Sequence, residues 1–271
     1  MAIKRVLITG AGGVLGGAVC RRFSEQLDRY DLWGIDCRQS PRDDLLPEWR
    51  PLIPTDRLRR ANIADIDAVR QAVAGMEVVI HLAATPNPFA PWNEILPNNI
   101  IGVYNIFEAC RQANVQRVLF ASSVRVSFGY FALEPYKAIL EERFNDVPET
   151  IPLITHDMPT WAVEAYGASK VWGEALGRTY ATQHGLSTLC LRIGGIARDG
   201  LPWTQKAMDL SVWCSFRDFV QLVQRCVEAP ASIGFDIFYA VSNNRYRWVD
   251  IAHARHVVGY TPQDGIQVYR S

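Results

Sequence analysis

Apolar residues in this chain come in short runs separated by amphipathic stretches. The runs cover residues 4–9, 31–36, 57–61 (the poorest of them), 77–84, 117–122 and 187–194, each of strand length. After the first run, Val14, Leu15, Ala18, Val19 and Phe23 fall at helical spacing. Residues 65–74 and 98–113 also read as helices, the second carrying Ile100, Ile101, Tyr104, Ile106, Phe107 and Ala109, and residues 161–184 form a longer one. Strand and helix in alternation predict βαβ units, hence an α/β fold on a doubly wound parallel sheet. Past Arg192 the helical periodicity continues. Ser215-Phe216-Arg217-Asp218 resembles a capping box opening a helix over 216–228, and 247–263 reads as a helix closed by Gly259 and Pro262. Residues 130–160 break the pattern, with Pro135, Pro148, Pro152 and Pro159 among Glu141, Glu142, Asp146 and Glu149. A stretch of that composition is expected to run over the surface as a lid on a site.

Composition narrows the class. A chain of 271 residues, 49% hydrophobic, can bury one large α/β core with a small appendage. Net charge is zero, so nothing points to a nucleic-acid or anionic membrane surface as partner. No apolar run reaches membrane-spanning length, and the first strand starts at the N-terminus, leaving no room for a signal peptide. Cys20, Cys37, Cys110, Cys190, Cys214 and Cys226 are far apart with no C-x-x-C pair, which fits reduced, mostly buried thiols in a cytoplasm. The five histidines do not cluster along the sequence as metal ligands. His253 and His256 read as surface or packing residues, and no metal is expected.

Chemistry enters at the first strand, which breaks into Thr9-Gly10-Ala11-Gly12-Gly13-Val14-Leu15-Gly16-Gly17. Started at Gly10, the pattern G-x-G-x-x-G fails at Leu15, whereas Gly10, Gly13 and Gly16 fit the looser T-G-x-x-G-x-x-G. A buried strand turning through glycines into a helix lets backbone approach a pyrophosphate and aims unpaired N–H groups at it. A tight turn with no ligand would use the same letters, but the second run supplies context. It ends on Asp36, 20 residues past Gly16, where a dinucleotide fold needs a carboxylate for the adenosine ribose. Asp36 favours NAD by repelling a 2′-phosphate, with nearby Arg38 leaving slight room for NADP. Farther on, Tyr166-Gly167-Ala168-Ser169-Lys170 sets a phenol and an ammonium one helical turn apart. A cation there is expected to lower the tyrosine pKa and make it a general acid/base. Ser122-Ser123 closes the fifth run, at the carboxyl end where ligands of open α/β sheets sit.

Taken in this order, the motifs resemble those of the extended short-chain dehydrogenases/reductases, the NAD-dependent epimerase/dehydratase family. The resemblance implies a Rossmann-like sheet binding NAD through Gly10, Gly13, Val14, Leu15 and Gly16, with Asp36 on the ribose and Asn62-Ile63 beside the adenine. His81-Leu82-Ala83-Ala84 would lie along the cofactor. Asn99, Ser122, Ile193, Tyr166 and Lys170 would complete its site. Ser123, Tyr166 and Lys170 match the catalytic trio, with Tyr166 as base, Ser123 on the reacting oxygen and Lys170 on the ribose.

Within the family the chain is similar to uronate dehydrogenases and related sugar dehydrogenases, through Asn93–Leu96 running into Asn99–Asn105, Arg192-Ile193-Gly194 and Trp213–Val220. Thr85, Ser123, Val124, Arg125 and Gly195 are then the substrate-binding candidates. Three departures stand out. Val124-Arg125 replaces an Asn-His pair, Gly195 replaces a serine, and Met208 stands where an arginine for the carboxylate is expected. Arg125, Arg198 and Lys206 are the candidate substitute cations. The implied organisation is a cofactor domain over 1–194, with 130–160 as its lid, and a small substrate-binding region over 195–271. The implied activity is oxidation of a sugar or sugar acid by a cytoplasmic homodimer pairing through the helices at 98–113 and 161–184. Two alternatives stay open: an epimerase or dehydratase that retains its NAD, and a dinucleotide-binding sensor without turnover.

Overall fold

The strands form where the apolar runs predicted them: β1 (Lys4–Thr9), β2 (Tyr30–Asp36), β3 (Leu58–Arg60), β4 (Val78–His81), β5 (Arg117–Ser123) and β6 (Ser187–Ile193). A seventh, β7 (Phe235–Ala240), lies between the helices expected over 216–228 and 247–263, where the sequence reading assigns no element. The computed structural model describes residues 3–38, 47, 50, 52–202 and 206–267. All seven strands are parallel, in the order β3-β2-β1-β4-β5-β6-β7. Strand order reverses between β1 and β4, where Val6 pairs with Leu32 on one side and Val78 on the other. Chain connections diverge at that point, so a crevice opens at the carboxyl ends of the strands.

Helices cover both faces: α1 (Val14–Ser24), α2 (Ile66–Val73), α3 (Trp92–Ile95), α4 (Gly102–Gln112), α5 (Tyr136–Leu140), α6 (Ala165–His184), α7 (Ala207–Ser211), α8 (Phe216–Glu228) and α9 (Ala252–Val258). The helix expected over 98–113 is a composite, a π-helical turn over Leu96–Ile101 running into α4. The one expected over 247–263 shrinks to α9, ended by Gly259 in the left-handed region at φ +72°. Ser215 caps α8 as expected, accepting from the Asp218 amide at 3.1 Å. Asp218 does not reach back to complete the box. Buried, it accepts from the Ser242 hydroxyl and from the amides of Gln263 and Asp264. All six cysteines are free thiols, and only Cys37 is exposed.

The stretch 130–160 differs from a loose lid. A 3₁₀ segment (Val124–Ala132) and α5 pack Phe128, Phe131 and Tyr136 around the fully buried Trp248, with ring centroids 6.1, 4.9 and 6.2 Å away. Ile154 makes an isolated parallel bridge to Val249. Aromatic burial, which outweighs the proline content, ties this segment to the C-terminal region.

Helix α6 lies unusually close to the sheet. A Cβ on Gly173 would come within 2.3 Å of Phe120 Cζ, and one on Gly177 within 2.7 Å of Thr188 Cγ2. One polar cluster interrupts this apolar contact. Glu174, 5% exposed, takes the Arg192 guanidinium on both oxygens at 2.9 Å and accepts from Ser122 Oγ at 2.5 Å. Arg192, 2% exposed, also donates to Tyr239 Oη at 2.9 Å, and that hydroxyl pairs with Ser127. Removing one member of such a pair strands a buried charge. Glu174→Ala is therefore expected to cost about 3–5 kcal/mol of stability in urea unfolding, while a Glu174→Leu/Arg192→Met double variant recovers most of the loss. If the single variant unfolds like the parent, the pair holds nothing together.

Candidate active site

The predicted functional residues gather at the carboxyl edge of the sheet, because most of them follow or end a parallel strand, while the π-helical turn brings Asn99 there and α6 brings Tyr166 and Lys170. After β1 the chain turns through Gly10 at φ +71°, where a Cβ would sit 2.9 Å from the Ala83 amide nitrogen. Gly16 is more constrained still, since a Cβ there would lie 2.1 Å from the Gly10 carbonyl oxygen. Gly13 is the N-cap of α1 and provides no side-chain cap, so the first amides of that helix point outward unpaired by side chains. Val14 and Leu15 are half-buried on that first turn. Backbone with no side chain in the way and free amides at a helix start fit a pyrophosphate.

Asp36, at the end of β2, is buried. Its Oδ2 accepts from the Gly12 amide at 3.0 Å and its Oδ1 from Arg38 N at 2.9 Å. The carboxylate thus braces the glycine turn and keeps lone pairs for ribose hydroxyls. Thr9 adds a contact that the sequence reading passed over. Its hydroxyl accepts from Ala83 N at 3.1 Å and pairs with His81 Nδ1 at 2.8 Å, tying the β4 exit (Leu82, Ala83, Ala84) to the turn. Burial, with Lys170 nearby, lowers the His81 pKa to about 3, so the ring is neutral. Asn62 is exposed and accepts from Ala64 N. Ile63 is buried, packed so tightly on Gly102 that a Cβ there would come within 2.6 Å of it.

Asn99 sits 1% exposed in the π-helical turn. Its side chain accepts from Thr85 N at 2.8 Å and donates to Thr85 O and Ser169 Oγ, each at 3.2 Å. Ser169 in turn donates to the Tyr166 carbonyl at 2.6 Å. A π-turn offsets the helix enough for one amide to link the β4 loop to α6. Thr85 Oγ1 is already engaged, accepting from Asn98 and donating to Glu94 O.

Ser123, Tyr166 and Lys170 come together as the sequence motif requires. Ser123 Oγ accepts from Arg125 N at 3.3 Å and lies near enough to the Tyr166 phenol to lower its pKa. Lys170, 3% exposed, places Nζ 5.5 Å from the Tyr166 ring and donates to the Ala121 carbonyl at 2.7 Å. The electrostatics depart from expectation. Burial pushes the Tyr166 phenol up to about 12, opposed by Ser123 and by the charge of Arg125. Burial brings Lys170 itself down to about 8.

Two other predicted residues differ from their expected roles. The Ser122 hydroxyl is committed to Glu174, and the Val124 side chain is 3% exposed in the hydrophobic core, leaving only its backbone for a ligand. Ile193 closes β6, and Gly195 pairs with Trp213 beyond it. Met208 packs against the core. Of the candidate cations, Arg198 is exposed and Lys206 precedes α7. Arg125 alone acts on the phenol. Its guanidinium lies 4.7 Å from the Phe128 ring centroid and 5.9 Å from that of Phe89, with Glu164 Oε1 at 3.5 Å. Glu164 carried no sequence signal, because its place is set by the approach to α6.

Comparison with known proteins agrees with this geometry. The model of the NAD-dependent epimerase/dehydratase family matches residues 6–197. The chain is 33% identical over 263 residues to an NAD-dependent glucose-6-phosphate dehydrogenase of Haloferax volcanii, covering 96% of this chain and 93% of that protein. It is 31% identical over 268 residues to a uronate dehydrogenase of Pseudomonas putida, covering 99% and 87%. A crystal structure of a variant uronate dehydrogenase from Agrobacterium tumefaciens, complexed with NAD, superposes with a TM-score of 0.75 at 31% identity, covering 97% of this chain and 86% of that one. Glycine turn, strand-end carboxylate and the Ser–Tyr–Lys corner all fall inside the span of the family model, and the chain is a member of the NAD-dependent epimerase/dehydratase family.

Proposed function

We propose that this protein is an NAD-dependent dehydrogenase that oxidises a hydroxyl of a sugar or sugar acid, with Tyr166 as general base. The observation that carries the reading is the convergence of Ser123, at the end of β5, with Tyr166 and, one helical turn on, buried Lys170, whose Nζ lies 5.5 Å from the Tyr166 ring, at the same sheet edge as the glycine turn. Asp36 supports NAD over NADP, since its carboxylate opposes a 2′-phosphate. Bound NAD supplies the hydride acceptor at its nicotinamide. In the oxidation the substrate C–H pair leaves as hydride, the O–H proton passes to the Tyr166 oxygen, and a carbonyl forms. Ser123 Oγ holds the reacting oxygen in line with the phenol, and Lys170 reaches the ribose. The phenol must be brought down from about 12 to serve as base, and Arg125 contributes to that lowering. Arg125 is also the cation best placed to meet a substrate carboxylate or phosphate, in place of the arginine that Met208 displaces.

Contacts between the 130–160 stretch and the segments after residue 195, Ala207 N donating to Glu142 Oε1 at 3.1 Å and Ile154 bridging Val249, support a small substrate-binding region over 195–271. Ile101 and Tyr104, 42% and 48% exposed, support pairing of two copies through α4 and α6. Among the described residues no helix is long and apolar enough to cross a membrane, and free thiols fit a cytoplasmic setting. An epimerase or dehydratase would retain its NAD. Net NADH release from free sugars, with NAD and NADP compared, separates that alternative from a dehydrogenase, and a sensor would release none.

Tyr166→Phe should lower kcat at least 100-fold while NAD affinity by fluorescence titration changes less than threefold. Equal loss of both would make the tyrosine structural. In the parent, kcat/KM for oxidation should climb about tenfold per pH unit below the phenol's apparent pKa. Removing a positive charge raises a phenol's pKa, so Arg125→Met should move that climb to higher pH. It should also raise KM for D-glucuronate or D-glucose 6-phosphate at least tenfold more than for L-arabinose. An unshifted profile with uniform KM changes would rule out both roles for Arg125.

A further inference from the structure

On the far side of α6 from the glycine turn, three residues from separate parts of the chain converge. They are His156 from the 130–160 stretch, Asp236 from β7, and His253 from α9. The two imidazoles are stacked, centroids 3.7 Å apart and planes 10° from parallel. His253 Nε2 lies 2.8 Å from Asp236 Oδ1, and the Ile237 amide holds the same oxygen at 2.8 Å. His253 is fixed from below as well, since its own amide donates to Asp250. His156 differs: its Nδ1 is buried and finds no hydrogen-bond partner among the described residues. A buried ring nitrogen without a partner forfeits hydrogen-bonding free energy unless something outside the chain meets it. The sequence hides this cluster because its members are 80 and 17 positions apart, and only the Ile154–Val249 bridge and the edge position of β7 bring them together.

We propose that His156, Asp236 and His253 form a binding site for a divalent transition-metal ion of the zinc type, which fastens the 130–160 stretch to the outer edge of the sheet. Two imidazoles and one carboxylate are a common zinc donor set, leaving a fourth position for water. One ligand atom from each residue lies within 4.8 Å of the others. Donors around a tetrahedral zinc are about 3.4 Å apart, so closure asks the widest pair to draw in by up to about 1.4 Å. All three residues are half-buried, which leaves room for a tilt of the His156 ring. The cluster opens on a hollow of about 220 Å³, also lined by Glu174, Arg178 and Arg192, through which an ion and its waters can enter. Arg192 is neutralised there by Glu174, and Arg178 is turned over the Phe235 ring at 4.3 Å. Asp157 adds a second carboxylate near the two histidines. The Ile237 amide orients the Asp236 carboxylate, as a supporting contact does in metal sites.

The test uses untagged full-length protein, freed of metal with EDTA and titrated with zinc chloride by calorimetry. One zinc per chain is expected, with Tm rising by about 5 °C when zinc stands at 100 times its Kd. His156→Gln, His253→Ala and Asp236→Asn should each weaken binding at least tenfold and remove the Tm rise, whereas His184→Ala keeps both. Circular dichroism of the zinc-free variants confirms that the loss lies in the site and not in folding. His156→Gln is mild enough to serve if His253→Ala fails to fold. No saturable zinc binding by the parent, or binding that survives in a His156→Gln/Asp236→Asn double variant, overturns the assignment.

Discussion

The close seating of α6 on β5 and β6 is the constraint from which the site geometry follows. Tyr166, Lys170, Gly173, Glu174 and Gly177 share one face of that helix at spacings of three and four residues. Gly173 and Gly177 let the helix axis approach Phe120 and Thr188 at distances no side chain would permit. Glu174 then locks rotation and slide by holding Ser122 on β5 and Arg192 on β6 together. Ser122 immediately precedes Ser123, and Lys170 is one turn before Glu174. The same anchor therefore sets how far the phenol stands from Ser123.

A second set of contacts joins this corner to the cofactor turn. Thr9 pulls the β4 exit onto the glycines, Asp36 braces Gly12, and Asn99 joins the loop after β4 to Ser169 on α6. Each is a side chain satisfying backbone groups that a parallel sheet leaves unpaired at its carboxyl edge. The crevice is consequently rigid on both flanks. The cost of that rigidity is visible in the phenol, whose burial raises its pKa where catalysis needs it lower. Cations offset that burial, and the nearest effective one, Arg125, is also the residue that departs from the pattern of uronate dehydrogenases.

Much of this was legible in the chain alone, for identifiable reasons. Parallel strands buried on both faces read as apolar runs, so β1, β2, β4, β5 and β6 were found within one to three residues. The glycine turn and Tyr166–Lys170 were legible because steric need and helical spacing leave marks at fixed intervals. Strand β7 was missed because Asp236 interrupts its apolar run and a region that reads as helix precedes it. The packing of the 130–160 stretch was not legible because prolines and acids dominate its letters, while the aromatics that seat it on Trp248 lie partly outside it.

What sequence determined here is local: where the backbone must be glycine, which helix face is buried, and which chemical groups stand four residues apart. What tertiary structure decided is every relation that depends on the direction a side chain takes in three dimensions. Ser122 turned to Glu174 and Val124 into the core, although both border Ser123. Lys170 donates a hydrogen bond to the Ala121 carbonyl, and the charge of Arg125 acts on the phenol. His156, Asp236 and His253 became neighbours only through the pairing of distant segments. Local pattern encodes steric and periodic requirements within a few residues, whereas charge pairing across the sheet depends on which strands lie side by side, and no short stretch of letters carries that.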